Sequence, residues 1–234
     1  MKVQWRLYKM KNWKIGAKDK KFIASYSGGK DSSLALYQAM QEGEAVGIIA
    51  MMEEEGERSR SHGLSQALLQ AQADAIGVPL YIGCASWEGY EEVFINLLEK
   101  AKEAGAEVLV TGDIDVPEHE CWHERVTGQV GLGLGMPLWG MDHKEVVKTF
   151  IEAGFVTKVV TVNLNKGMRA EDLGRTLTKE YMEELEERGI DPCGEAGEFH
   201  TTVIDGPLFK QPIPVQDGEI TQRGEYMYLS LLLE

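Results

Sequence analysis

Lys21-Phe22-Ile23-Ala24-Ser25-Tyr26-Ser27-Gly28-Gly29-Lys30-Asp31-Ser32 is the stretch that decides the fold. Phe22–Tyr26 reads as a short buried strand, and Leu34, Leu36, Tyr37 and Met40 follow at the spacing of a partly buried helix. The glycine turn between them ends at a helix N-terminus, where unpaired N–H groups and the positive end of the helix dipole favour an anion. Gly28 and Gly29 let backbone close around phosphate oxygens, Ser27 and Ser32 add hydroxyls, and Lys30 adds a positive charge. The spelling is not the Walker pattern G-x-x-x-x-G-K-[ST], because Asp31 follows the lysine and no glycine stands five residues before Gly29. The bland alternative is a glycine turn with an ordinary cap; six such residues in a strand-loop-helix setting exceed what turn chemistry needs.

Outward from this loop, strand-like runs recur at Val46–Met52, Pro79–Gly83, Val108–Thr111, Pro137–Trp139 and Phe155–Val162. Helical periodicity fills the gaps at Gly63–Ile76, Gly89–Ala104 and Glu145–Ala153. Such alternation predicts an α/β fold, a doubly wound parallel sheet with right-handed crossovers and ligands beyond the carboxyl ends of its strands. From about residue 163 the pattern changes. Met168–Arg188 reads as a charged helix, and Phe199–Ile204, Phe209–Val215 and Tyr226–Leu233 read as strands of a smaller α+β lobe. The expected organisation is a basic arm over 1–20, an ATP-binding domain over 21–162 and a C-terminal substrate lobe over 163–234.

The 234 residues carry 24 Lys and Arg against 38 Asp and Glu, a net charge of −14 that disfavours a polyanion such as RNA. One segment opposes this: residues 1–21 hold eight basic residues against Asp19, with Trp5, Tyr8 and Trp13 among them. It is read as an edge strand and arm lying on the acidic body, a nucleic-acid or acidic partner being the other reading. Cys84, Cys121 and Cys193 form no C-x-x-C pair, and no apolar run has the length of a membrane span or signal peptide, so a reduced cytoplasmic setting is expected.

Four further constellations carry chemistry. Met51 and Met52 end the second strand, where backbone would meet an adenine edge and the side chains would either cover the base or fill core; His62 follows at a helix start. Gly112 and Asp113 follow the fourth strand, where a carboxylate could hold a ribose hydroxyl or magnesium. Glu118, Trp122 and Arg125 then fall on neighbouring helical turns. His119-Glu120-Cys121-Trp122-His123 also spells H-E-x-x-H, but without an evident third ligand a zinc protease is the weaker reading. Finally, Asp191–Thr201 combines Gly194 and Gly197 with Glu195, Glu198 and His200, either a ligand loop whose imidazole moves a proton near neutral pH or a solvated turn.

Taken together, Ser27–Ser32, Gly112-Asp113-Ile114, Glu118-His119 with Trp122, Pro137-Leu138-Trp139, Leu173-Gly174, the Cys193–Thr201 cluster and Asp205-Gly206-Pro207 resemble the diphthine–ammonia ligase family. These are PP-loop ATPases of the HUP-like adenine nucleotide alpha hydrolase superfamily. The resemblance covers residues 21–215, and the Cys193–Thr201 cluster is its most specific part. It implies that ATP is cleaved between the α and β phosphates, a carboxylate is adenylated, and ammonia displaces AMP. On that footing Ser27, Gly28, Gly29, Lys30 and Ser32 are assigned to phosphates, Asp31 to Mg2+, and Met51, Met52, His62, Gly112 and Asp113 to the nucleotide. Glu118, His119, Trp122, Arg125, Gly194, Gly197 and Thr201 are assigned to substrate. Glu195, Glu198 and His200 are assigned to substrate or ammonia, and with Lys30 and Asp31 they form the expected catalytic set. The implied partners are ATP, free ammonium and diphthine on translation elongation factor 2, or another carboxylate where diphthamide is not made; a homodimer is compatible. A tRNA-modifying PP-loop enzyme and a non-catalytic ATP sensor are the competing classes.

Overall fold

The computed structural model describes residues 16–60 and 62–234. Most of the basic aromatic arm, residues 1–15, therefore lies outside the described residues. β1 (Lys21–Ser25) is buried on both faces: Phe22 and Ala24 join one core cluster and Ile23 another, as the two-residue period of a strand requires. It sits at the centre of a five-stranded parallel sheet with β2 (Glu44–Met52), β3 (Leu80–Cys84), β4 (Val108–Val110) and β5 (Gly133–Gly135), in the order β3-β2-β1-β4-β5. α1 (Lys30–Met40) and α5 (His143–Glu152) cover one face through Leu34, Leu36, Val146, Val147 and Phe150. α3 (Tyr90–Glu103) and α4 (Pro117–Val130) cover the other through Phe94, Leu97, Leu98 and Val126. Strand order reverses between β1 and β4, so the crevice beyond their carboxyl ends is where such a sheet places a ligand.

A second, antiparallel sheet follows, ordered β7-β6-β9-β8: β6 (Val156–Asn163), β7 (Phe199–Asp205), β8 (Val215–Arg223) and β9 (Tyr226–Leu233). α2 (Gln66–Ile76) lies between the sheets, its Leu68 and Leu69 clustering with Ala50 and Met52 of the first and Val160 and Leu229 of the second. α6 (Lys179–Glu187) packs Tyr181, Met182 and Leu185 into the core. No helix among the described residues is long and apolar enough to cross a membrane.

Four expectations are corrected. The strand expected at Phe155–Val162 in the first lobe forms instead as β6, bonded to β7 and β9, so the second sheet begins before residue 163. Pro137–Trp139 is a turn closed by Trp139 N–H on the Met136 carbonyl, since Pro137 has no N–H to give a ladder; the fifth strand is Gly133–Gly135. Met168–Arg188 is broken at Gly174 (φ 78°), leaving a 3₁₀ turn at Ala170–Asp172 and α6, which starts where Thr178 caps Tyr181 N–H at 3.2 Å. Phe209–Val215 is mostly loop around Pro212 and Pro214, and its strand starts only at Val215.

Candidate functional site

The Ser27–Ser32 loop bridges β1 and α1 and is clasped by the second sheet. The Gly28 carbonyl accepts N–H bonds from Val203 at 2.9 Å and Gln72 Nε2 at 3.0 Å. Gly28 has φ 83°, and a Cβ on Gly29 would fall 2.4 Å from His62 Nε2 and 3.0 Å from the Thr201 carbonyl, so neither position admits a side chain without displacement. Thr201, expected to touch substrate, accepts the Lys30 N–H on Oγ1 at 3.2 Å and thereby fixes the start of α1. The Ser27 and Ser32 hydroxyls are 3.1 Å apart, and Ser32 Oγ also donates to the Gly29 carbonyl.

Lys30 is only 5% exposed, and its Nζ lies 2.8 Å from Asp31 Oδ2. Burial disfavours the ammonium, but the Asp31 and Glu195 carboxylates outweigh it and raise the Lys30 pKa. Glu195 arrives from the second lobe. Burial, and then the like charge of Asp31, push it up to about 7. Cys193 completes the group with Sγ 3.7 Å from Asp31 Oδ1, and burial raises its pKa. Among the described residues, Asp31, Cys193 and Glu195 form the one group of potential metal donors with mutually close ligand atoms. The two carboxylates suit a hard ion such as magnesium, whereas a buried protonated thiol does not.

The loop after β4 abuts this group: a Cβ on Gly112 would lie 2.7 Å from the Asp31 carbonyl carbon and 2.8 Å from Ser32 N. Each Asp113 oxygen already has an imidazole partner: Oδ1 is 2.8 Å from His119 Nδ1 and Oδ2 is 3.0 Å from His123 Nε2. Burial opposes the charge, yet the two imidazoles hold the Asp113 carboxyl well below its usual range, and Asp113 in turn raises His119. The H-E-x-x-H spelling is thus a double imidazole cradle for a carboxylate, with Glu120 fully buried. Trp122 and Arg125 are also redirected. Trp122 Nε1 donates to Glu91 at 2.9 Å and the Arg125 guanidinium pairs with the same carboxylate, tying α4 to α3. Glu118 is exposed on the first turn of α4.

Beside the loop, a cleft of about 80 Å³ is lined by Ser27, Ile49, Met51, Arg60, His62 and Tyr90 among others. Met51 borders it. Met52 does not, being fully buried in the core with Leu68 and Leu69. The His62 and His200 rings pack against each other with centroids 4.7 Å apart and planes tilted by 39°. Burial first, and the neighbouring Lys30 charge among its other causes, lower both, His200 to about 4, so His200 is neutral at pH 7 and is not the expected proton carrier near neutrality. Glu198 is 9% exposed, with Oε2 lacking a hydrogen-bond partner among the described residues; its backbone carbonyl accepts Asn163 N–H at 2.7 Å. Gly194 and Gly197, at φ 72° and 82°, shape the turn that carries Glu195.

Two residues carried no sequence signal. Arg60 reaches the Ala85 carbonyl and stacks on Trp87 at 4.3 Å at the edge of the cleft. His143 bridges the lobes, with Nδ1 2.7 Å from Asp191 Oδ2 and Nε2 3.2 Å from Asp115 Oδ2. Asp191 also accepts the N–H groups of Cys193 at 2.9 Å and Glu195 at 3.3 Å, so it holds the loop that presents Glu195.

Comparison with known proteins gives the family. Residues 20–134 match the family model described as diphthamide synthase N-terminal domain, and residues 142–231 match diphthamide synthase C-terminal domain. A Schizosaccharomyces pombe protein named diphthine–ammonia ligase is 27% identical over 240 residues, 90% of this chain and 39% of its own length. The mouse and human proteins of the same name are each 27% identical over 84% of this chain and 83% of theirs. The chain thus spans well under half of the fission-yeast relative but most of the mammalian ones. A solved chain described as a predicted subunit of tRNA methyltransferase from Methanocaldococcus jannaschii is similar over 82% of this chain and 100% of its own, at 16% identity and a TM-score of 0.43. With both family models matched in order along the chain, and the loop, the β4 edge and the Glu195 turn meeting at one crevice, the chain belongs to the diphthamide synthase family.

Proposed function

We propose that the chain is an ATP-dependent ligase that adenylates a carboxylate and amidates it with ammonia, its acceptor being diphthine on elongation factor 2, as the names of its relatives suggest. The observation that carries this is the meeting of Lys30 and Asp31 on the loop with Glu195 from the other lobe, at the point where strand order reverses. Lys30, buried and held protonated, supplies a fixed positive charge where pyrophosphate departs, in a setting that needs little reorganisation during reaction. The cleft beside Met51 and Arg60 would take the adenine, and the second lobe would bring the acceptor to the α-phosphate. Magnesium, when bound, would be held by Asp31 and Glu195 and would offset charge on the phosphates. Amide formation from a free carboxylate is slow without an activated acyl group, and joint positioning of carboxylate and ATP is what two lobes around one crevice provide.

The net charge of −14 favours a protein or small-molecule acceptor over RNA. The test is incubation with ATP, magnesium, ammonium and elongation factor 2 bearing diphthine. Equal amounts of AMP, pyrophosphate and amidated factor are expected. ADP and phosphate as products, or no nucleotide turnover with that acceptor, would overturn the reading.

A further inference from the structure

The Asp113–His119 pair has the geometry of a carboxylate that orients an imidazole. Asp113 is also held by the buried His123, 3.0 Å from Oδ2, so its orientation does not depend on His119 alone. Its bond to His119 is made through Nδ1, which leaves Nε2 as the ring's other nitrogen, on a side chain 59% exposed. Nδ1–H donation to the carboxylate fixes the neutral tautomer whose Nε2 carries a lone pair. The pair stands beside the crevice, since Gly112, next to Asp113 in the chain, packs against the Asp31 and Ser32 backbone. Of the other groups near the loop, both Asp113 oxygens are engaged by imidazoles, burial lowers His62 and His200, and Glu195 is the carboxylate kept for magnesium in this reading.

Resting on the ligase reading, we propose that His119, oriented by Asp113, is the general base that deprotonates ammonium for the transfer step. His119 Nε2 takes one proton from ammonium. The nitrogen lone pair so released forms the C–N bond at the acyl carbon, the C–O bond to AMP breaks with its electron pair leaving on AMP, and the second proton passes to solvent. Acyl adenylate and ammonium thus give amide, AMP and two protons.

Hydroxylamine tests this, because it is largely unprotonated at neutral pH and needs no base to become nucleophilic. His119→Asn keeps a donor near the Nδ1 position for Asp113 and lacks Nε2. With diphthine-bearing factor, its rate with ammonium is expected to fall about 100-fold or more, whereas its hydroxamate rate with hydroxylamine falls only about three-fold or less. An equal loss with both nucleophiles, or no loss with ammonium, overturns the role of His119 while the ligase reading stands; a wild-type protein forming no AMP with either nucleophile overturns both. His119→Gln serves as a second variant. Independently of turnover, imidazole ¹⁵N shifts of the wild-type protein are expected to show neutral His119 protonated at Nδ1, and the opposite tautomer removes it as the base.

Discussion

Gly112→Ala tests whether the loop after β4 sets the position of the phosphate loop. An alanine Cβ there would meet the Asp31 carbonyl carbon at 2.7 Å, its oxygen at 2.8 Å and Ser32 N at 2.8 Å, against an ordinary contact of at least 3.4 Å. All three are backbone atoms, so no rotamer change relieves them, and the loops must part by about 0.7 Å. Overpacking of this kind costs about 1–3 kcal/mol, or roughly 2–12 °C in Tm for a chain of this size. A misplacement near 1 Å at reacting groups costs on the order of 100-fold in rate, so kcat for pyrophosphate release should fall about 10- to 100-fold. Gly128→Ala is the control: it lies inside α4 with nothing within 4 Å of the added Cβ, and should stabilise by roughly 0.5–1 kcal/mol. Steady-state pyrophosphate release and thermal unfolding are measured on both. A Gly112→Ala protein with wild-type kcat and Tm would refute the contact between the loops.

Lys30→Ala should lower ATP cleavage at least 100-fold while circular dichroism stays native, because the transition-state charge loses its buried partner; cleavage within a few-fold of wild type would contradict the role of Lys30. For pH, His200 titrates at about 4 in the folded chain against 6.5 unfolded, so the unfolded state binds more protons between those values and stability falls on acidification across that window. From this group alone the loss between pH 7 and pH 5 is up to roughly 2 kcal/mol. His200→Asn should flatten the slope in urea unfolding, and an unchanged slope would count against a buried neutral His200. The raised pKa of His119 and of His143 acts oppositely: the stability each adds is present at low pH and is lost as pH rises through its folded value.

The first loop was legible because its signals are local. A buried run, two glycines and a helical period lie within twenty residues; β1 formed within one residue of its expected bounds, and α1 contains Leu34, Leu36, Tyr37 and Met40. Membership of a sheet is not local: Val156–Val162 is rich in β-branched residues like any strand, and only its pairing with Phe199–Asp205 and Tyr226–Tyr228 places it in the second sheet. Met168–Arg188 kept a helical composition across Gly174, whose positive φ ends the continuity. The same limit governs the site. Gly112 and Asp113 were findable beside their strand, but no spacing rule reveals that His143 joins Asp115 to Asp191, or that Arg60 stacks on Trp87. His119 and His123 were visible as a motif with the wrong ligand, since the carboxylate they share lies six and ten residues upstream.

The central claim is activation of the acceptor carboxylate by the α-phosphate of ATP. Its most direct test uses diphthine-bearing elongation factor whose acceptor carboxylate carries ¹⁸O at both oxygens, with mass analysis of the AMP released in the presence of ammonium. One ¹⁸O atom in each AMP is the expected result; unlabelled AMP alongside amide, or labelled phosphate with ADP, would contradict it.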